Sequence, residues 1–83
     1  MRMFTIPTGR EIAMIRSQYP AGTRVKLISM EDPLSHLKEG EFGTVQHVDD
    51  IGQIHVKWDD GTKLALIPGT DQFRRVDDGR QKW

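Results

Sequence analysis

The residues of this 83-residue chain with the clearest potential for metal chemistry are its three histidines, His36, His47 and His55. His47 and His55 stand on either side of the turn sequence Asp49-Asp50-Ile51-Gly52, so a bulged hairpin could bring their rings face to face. Two histidines supply half of a zinc site, and without cysteine the missing ligands would have to be carboxylates such as Asp49. We therefore interpret the histidines as solvated strand residues, and we predict no metal and no cofactor.

Carboxylates and hydroxyls give no catalytic pattern either. The doublets Asp49-Asp50 and Asp59-Asp60 look like calcium ligands, but they fall at successive hairpin tips. Such tips lie at opposite ends of a sheet and cannot share one shell of about six to eight oxygens. Aspartate is also a common turn residue, because its side chain bonds the nearby backbone. The serines show no histidine–acid pattern, so we predict that the protein is not an enzyme.

Basic residues recur at outward-facing positions of the predicted first and last strands. They are Arg24 and Lys26 on the first strand and either Arg74 or Arg75 on the last, with Arg80 and Lys82 beyond it. If the two strands pair, these side chains form a stripe that could hold the phosphates of a nucleic acid or an acidic partner. Twelve basic residues balance twelve acidic ones, and few aromatic residues are available for base stacking, which favours an ordinary solvated face.

The segment 29–42 is a long, mostly polar loop between the predicted first and second strands. A loop of this length in a small domain is usually functional or mobile. Leu34 and Leu37 are expected to point inward and fix the loop, and Phe42 stands at the strand edge. We predict that these three residues bind a protein partner, together with the adjoining face. The alternative is nucleic-acid binding through the basic stripe.

The stretch 43–66 must position most of these residues, because it carries the strongest strand signal. Ile54, Val56 and Trp58 alternate with polar residues, which is the pattern of a half-buried strand. This alternation favours a core position for Trp58 over a role as a ligand-stacking aromatic. Turn sequences on both sides make the strand the centre of a three-strand meander.

The turn Asp59-Asp60-Gly61 predicts the register of the second hairpin. A three-residue loop places all the large apolar residues on one face, whereas a two-residue loop would send Leu64 and Leu66 to the polar face. Gly61 fits the left-handed position that ends such a loop. The predicted pairs are Trp58–Thr62, Val56–Leu64 and Ile54–Leu66.

The first hairpin requires an irregularity. A regular ladder cannot pair Val45 with Val56 and also Val48 with Ile54. A bulge near Gln46-His47 would reconcile the two pairs.

A short helix is predicted before the strands. Thr8 and Glu11 form a capping box, and Pro20 ends the helix. The apolar stripe is Ile12, Ile15 and Tyr19. A helix of about three turns is too short to persist alone, so we expect a packing helix, with a detachable partner-binding helix as the alternative.

We predict a single domain composed of a lead-in and helix (1–22), a barrel (23–76) and a flexible tail (77–83). No apolar run approaches the roughly 20 residues of a membrane span. The chain lacks both cysteine and the apolar start of a signal peptide, so we expect a cytoplasmic protein that does not bind membranes. The predicted fold is mainly β, a small SH3-like five-stranded barrel with one short N-terminal α-helix.

Several motifs in their order and spacing resemble one known family. They include Tyr19-Pro20-x-Gly22-Thr23, Met30-x-Asp32-Pro33, Gly40-x-x-Gly43-Thr44-Val45, Val48-Asp49-Asp50-Ile51-Gly52, Val56-x-Trp58-Asp59-x-Gly61 and Asp71-x-Phe73-Arg74. The run from Ile15 to about Val76 is similar to a small domain family of bacteria, phages and mobile elements, domain of unknown function 4314. The resemblance implies an SH3-like barrel and no established activity.

Overall fold

The computed structural model describes residues 6–30 and 37–76. The elements in chain order are α1 (Gly9–Gln18), β1 (Arg24–Ser29), β2 (Phe42–Val48), β3 (Ile54–Trp58), β4 (Lys63–Leu66) and β5 (Gln72–Val76). The prediction of a mainly β chain with one short helix is confirmed. Leu34, His36 and the predicted tail 77–83 lie outside the described residues.

The five strands form one antiparallel sheet in the order β4-β3-β2-β1-β5. The last strand lies beside the first, as the sequence predicted. Among the described residues the ladder starts at β4 and stops at β5, so the sheet is open. Closure into a barrel is therefore not confirmed.

The register of the β3–β4 hairpin is the predicted one. Val56 pairs with Leu64 and Ile54 pairs with Leu66. The Trp58 amide donates to the Thr62 carbonyl at 2.8 Å, which closes a three-residue loop. Gly61 takes φ +94° there, in the left-handed region that other residues rarely adopt.

The predicted bulge lies in β2. Val45 pairs with Val56, and after a register shift His47 pairs with His55 and Val48 with Ile54. The two strands therefore differ by one residue, Gln46, which has no partner in this register. The extra residue returns Val48 to the buried face, so that both hydrophobic pairs, Val45–Val56 and Val48–Ile54, can form.

The core lies on one face of the sheet. Its fully or almost fully buried members are Val25, Leu27, Val45, Val48, Ile54, Val56, Trp58 and Leu66. Trp58 is 1% exposed, and its Nε1 donates to the Leu64 carbonyl at 3.0 Å. The prediction that Trp58 belongs to the core is confirmed.

The helix α1 begins with the predicted capping box. The Thr8 amide donates to Glu11 Oε1 at 2.8 Å, and the Glu11 amide donates to Thr8 Oγ1 at 3.2 Å. Ile12 is buried, and Ile15 and Tyr19 pack against the core, so the predicted stripe is the packing face. Within residues 6–30 and 37–76, no helix has the length and hydrophobicity needed to cross a bilayer.

Candidate binding face of the sheet

The outward-facing residues of the sheet form two rows across the strands. The register aligns Arg24, Thr44, Lys57 and Lys63 in one row from β1 to β4. A second row aligns Arg74, Lys26 and Phe42 across β5, β1 and β2. Neighbouring residues along these strands, such as Val25 and Val56, are buried, so both rows lie on the opposite, solvent-facing side. We call these seven residues the cationic face.

Two pairs on the cationic face bring like charges directly opposite each other. Lys57 pairs with Lys63 across β3 and β4, and Lys26 pairs with Arg74 across β1 and β5. Directly opposite like charges destabilise an antiparallel pair by a few tenths to about 1 kcal/mol. An anion held between the two members of a pair would relieve that repulsion.

Arg24 is the most constrained cation of this face. Its Nη1 and Nη2 donate to the two carboxylate oxygens of Asp59, each at 2.8 Å, and Nη1 also donates to Thr44 Oγ1 at 3.0 Å. The hydrogen bond from Arg24 lowers the pKa of Asp59, desolvation opposes this shift, and the positive charge of Arg24 adds to the lowering. The face therefore contains one guanidinium held in a fixed orientation by a carboxylate.

Phe42 is the aromatic residue of the cationic face. Its side chain is 37% exposed. The guanidinium carbon of Arg24 lies 6.0 Å from the ring centroid, and Lys26 Nζ lies 5.8 Å from it. These distances lie at the outer limit of cation–π contacts, about 6 Å, so two cations lie over one partly exposed ring.

The structure separates the two adjacent arginines of β5. Arg74 pairs with Lys26 and belongs to the cationic face, whereas Arg75 pairs with the buried Val25. Arg75 therefore lies on the opposite side of the strand, near Tyr19. Burial raises the pKa of Tyr19, and the positive charge of Arg75 lowers it in part. Of the predicted stripe, the structure brings together Arg24, Lys26 and Arg74.

The three residues predicted to bind a protein partner do not form one described surface. Leu37 packs against the hydrophobic core. Phe42 lies on the cationic face, and Leu34 lies outside the described residues. The end of the loop is bound to β1, since the Leu27 amide donates to the Glu41 carbonyl at 2.8 Å.

Sequence reasoning missed Lys57 and Lys63 as members of this face. The signal was available, because a loop that pairs Trp58 with Thr62 also places the preceding Lys57 opposite Lys63. The alternation of β3 then sends both lysines outward.

The histidine pair forms a separate cluster at the β2–β3 hairpin. The rings of His47 and His55 stack with centroids 4.4 Å apart and planes 8° apart, which confirms that they face each other in the bulged register. His55 Nε2 lies 2.8 Å from Asp49 Oδ2, while Asp49 Oδ1 accepts from two backbone amides of the turn. No three histidine or acidic side chains among the described residues are arranged to hold a metal.

The contacts around Asp49 also shift the pKa of its carboxyl group. Partial burial raises its pKa, but the hydrogen bonds from His55 and from the amides of Gln53 and Ile51 outweigh burial and leave the pKa below its usual value. Asp49 therefore organises the turn as a bound carboxylate, and it orients His55.

A groove lies between α1 and the turn that precedes β5. It encloses about 470 Å³, and its lining includes Ile6, Pro7, Met14, Ile15 and Pro68. The side chains of Ile6 and Met14 are 64% and 55% exposed. This is an apolar surface on the helix side, separate from the cationic face.

No curated protein and no solved structure matches this chain. One family model, described as a domain of unknown function (DUF4314), matches residues 8–76. The match runs from the helix cap at Thr8 to the last residue of β5, so it covers every described helix and strand. The chain belongs to this family of domains of unknown function, DUF4314.

Proposed function

We propose that this domain is a non-catalytic binding module that binds nucleic acid through the cationic face. The observation that carries the proposal is the presence of two like-charged cross-strand pairs, Lys57 opposite Lys63 and Lys26 opposite Arg74. Each pairing is unfavourable alone, and each would become favourable with a phosphate between its cations. A chain of zero formal net charge therefore concentrates five cations on one side of its sheet.

The shape of the face suits a ligand with regularly repeated charge. The row from Arg24 to Lys63 crosses four neighbouring strands, which lie about 4.8 Å apart. A nucleic-acid backbone presents a phosphate at intervals of a few ångströms, so several cations can be neutralised by one strand. A single small anion would engage one pair and leave the rest of the face unused.

A second candidate function is recognition of a protein partner through the loop 29–42 and the adjoining face of the sheet. Two exposed apolar side chains favour it. Ile28 and Phe42 are 38% and 37% exposed, and they lie at the two ends of this loop. Exposed apolar residues beside a loop are common features of protein interfaces.

We further propose that the sheet curls into an SH3-like barrel. The position of β5 beside β1 supports this proposal. The family resemblance points to a protein of bacteria, their phages or mobile elements. We also propose a cytoplasmic location, since a chain without cysteine suits a reducing compartment.

The test is a fluorescence-anisotropy titration of a short labelled oligonucleotide over a series of salt concentrations. For a single strand, about four phosphate contacts, from the four cations that Asp59 does not hold, should make the logarithm of the association constant fall with log salt concentration at a slope near −3, since each contact releases about 0.7 counterion. Polyglutamate serves as the control polyanion, and we expect it to bind more weakly than the oligonucleotide. No oligonucleotide binding at low salt, together with a nuclease-resistant partner captured from bacterial lysate, would replace this proposal with the second candidate.

A further inference from the structure

Phe42 is the one apolar residue of the cationic face, whose other members are polar or charged. Its neighbour across the sheet is Lys26 on β1, and one row away lie Arg24 on β1 and Thr44 on its own strand. A phenylalanine at an outward position gives up the burial that the core side of the same sheet offers to Trp58. Its ring has no hydrogen-bonding group, so its contribution to a polar ligand is limited to contact with a flat or apolar surface.

We infer that the ligand of this face is single-stranded nucleic acid, with one unpaired base stacked on Phe42. The inference rests on the proposed function and identifies which form of nucleic acid the face selects. In a duplex the flat faces of the bases are covered by their neighbours, and the surface consists mainly of phosphates, sugars and base edges. A single strand can turn a base outward, and every base has an aromatic face that a ring can contact.

The cations over the Phe42 ring suit the same ligand, which would stack on the part of the ring that is exposed. Lys26 Nζ and the Arg24 guanidinium carbon lie 5.8 and 6.0 Å from the ring centroid. A stacked base would bring its flanking phosphates toward these groups, and Arg74 extends the positive charge beyond Lys26 in the same row. Stacking on phenylalanine reads no base edge, so we expect weak preference among bases.

The test compares the parent protein with Phe42→Leu and Phe42→Tyr. Leucine keeps an apolar side chain of similar bulk, whereas tyrosine keeps the aromatic ring. The probes are single-stranded oligo-dT, a duplex of the same length and inorganic polyphosphate, which has charge without bases. Ile51→Ala is the matched control, because it shortens another exposed apolar residue, which is 38% exposed in the turn between β2 and β3 and lies outside the cationic face. Circular dichroism and melting temperature verify that each variant is folded.

We expect oligo-dT to bind more tightly than the duplex. Phe42→Leu should weaken oligo-dT binding by about tenfold, within the range measured for loss of one stacked base, while polyphosphate binding changes less than about twofold. Phe42→Tyr should retain the parent affinity, and Ile51→Ala should leave all three affinities unchanged.

Three results would overturn the inference. They are equal or tighter binding of the duplex, equal weakening of oligo-dT and polyphosphate by Phe42→Leu, and failure of tyrosine to retain binding. In each case nucleic-acid binding itself would stand. Failure of all three probes to bind the parent protein would instead refute the proposed function, so the two failures are distinguishable.

Discussion

Asp59 holds Arg24 by both terminal nitrogens, with two hydrogen bonds of 2.8 Å between the guanidinium and the carboxylate. Arginine binds phosphate with the same paired geometry. Asp59 and a backbone phosphate would therefore compete for one guanidinium. The salt bridge orients Arg24 on the cationic face, and it also reduces the positive charge that the face offers to a ligand.

Asp59→Asn should tighten oligonucleotide binding and make the salt dependence steeper by about 0.7 units, the contribution of one added phosphate contact to a single strand. The matched control is Asp60→Asn, which makes the same charge change on the same hairpin. Asp60 Oδ1 accepts from the Thr62 amide at 2.8 Å, and asparagine can keep that bond through its carbonyl oxygen. Anisotropy titrations that show equal effects of the two variants would mean that net charge alone controls affinity.

Trp58→Ala should lower the free energy of unfolding by about 3–5 kcal/mol, because it empties a large site in the core. A domain of this size has a total stability of only about 5 kcal/mol or somewhat more, so the variant is expected to be largely unfolded. Trp58→Phe is the control, since it keeps most of the packing and loses the bond to the Leu64 carbonyl. Thermal melting within a few degrees of the parent for Trp58→Ala would contradict the core position.

Gly43→Ala should also destabilise the domain. A Cβ at this position would lie 2.5 Å from Val56 Cγ1 and 2.9 Å from Trp58 Cε3, closer than carbon atoms can pack. Overpacking of this kind costs about 1–3 kcal/mol. Gly9→Ala is the control, because a Cβ there meets nothing within 4 Å. Denaturant unfolding that gives the two variants equal stability would mean that β2 and β3 are more widely spaced than the structure shows.

Acid should destabilise the domain through Asp49 and Asp59. Hydrogen bonds from His55 and the turn amides overcome the opposing effect of burial and lower the pKa of Asp49, and the bond from Arg24 lowers the pKa of Asp59. Their contribution to stability is thus fully present above the unfolded-state pKa of about 4, and it is lost as the pH falls through the lower folded-state values. Melting temperatures measured across this range should fall more steeply for the parent than for the Asp49→Asn/Asp59→Asn double variant. If the melting temperatures of the two proteins fell equally with pH, the lowered pKa values of Asp49 and Asp59 would be contradicted.

The register of the meander could be predicted from the sequence because two independent constraints agree there. The alternation around Trp58 and the turn ending at Gly61 permit one pairing that buries every large apolar residue. The bulge at Gln46 followed from a conflict between two hydrophobic pairs, which a single extra residue resolves. Both inferences use local pattern and pairing geometry, which the sequence carries directly.

Contacts between residues far apart in the sequence were harder to predict from it. The Arg24–Asp59 salt bridge joins the start of β1 to the β3–β4 hairpin across β2, and the local sequence pattern of neither segment indicates it. The alternation along β5 allowed either Arg74 or Arg75 to face outward, and only the pairing with β1 decides between them. Leu37 and Phe42 look equivalent as apolar loop residues, yet one packs against the core and the other faces solvent.

The most direct test of nucleic-acid binding by the cationic face compares two double variants with the same loss of charge. Lys26→Ala/Arg74→Ala removes two cations from the face. Arg10→Ala/Arg75→Ala removes one from α1 and one from the opposite side of β5. The measurement is the slope of log Kd against log salt concentration for a single-stranded oligonucleotide.

We predict that the face variant binds more weakly and that its slope is shallower by about 1.4 units, from two lost phosphate contacts, while the control variant keeps the parent slope. Equal slopes for the two double variants would contradict the account, because binding would then depend on total charge and not on the cationic face.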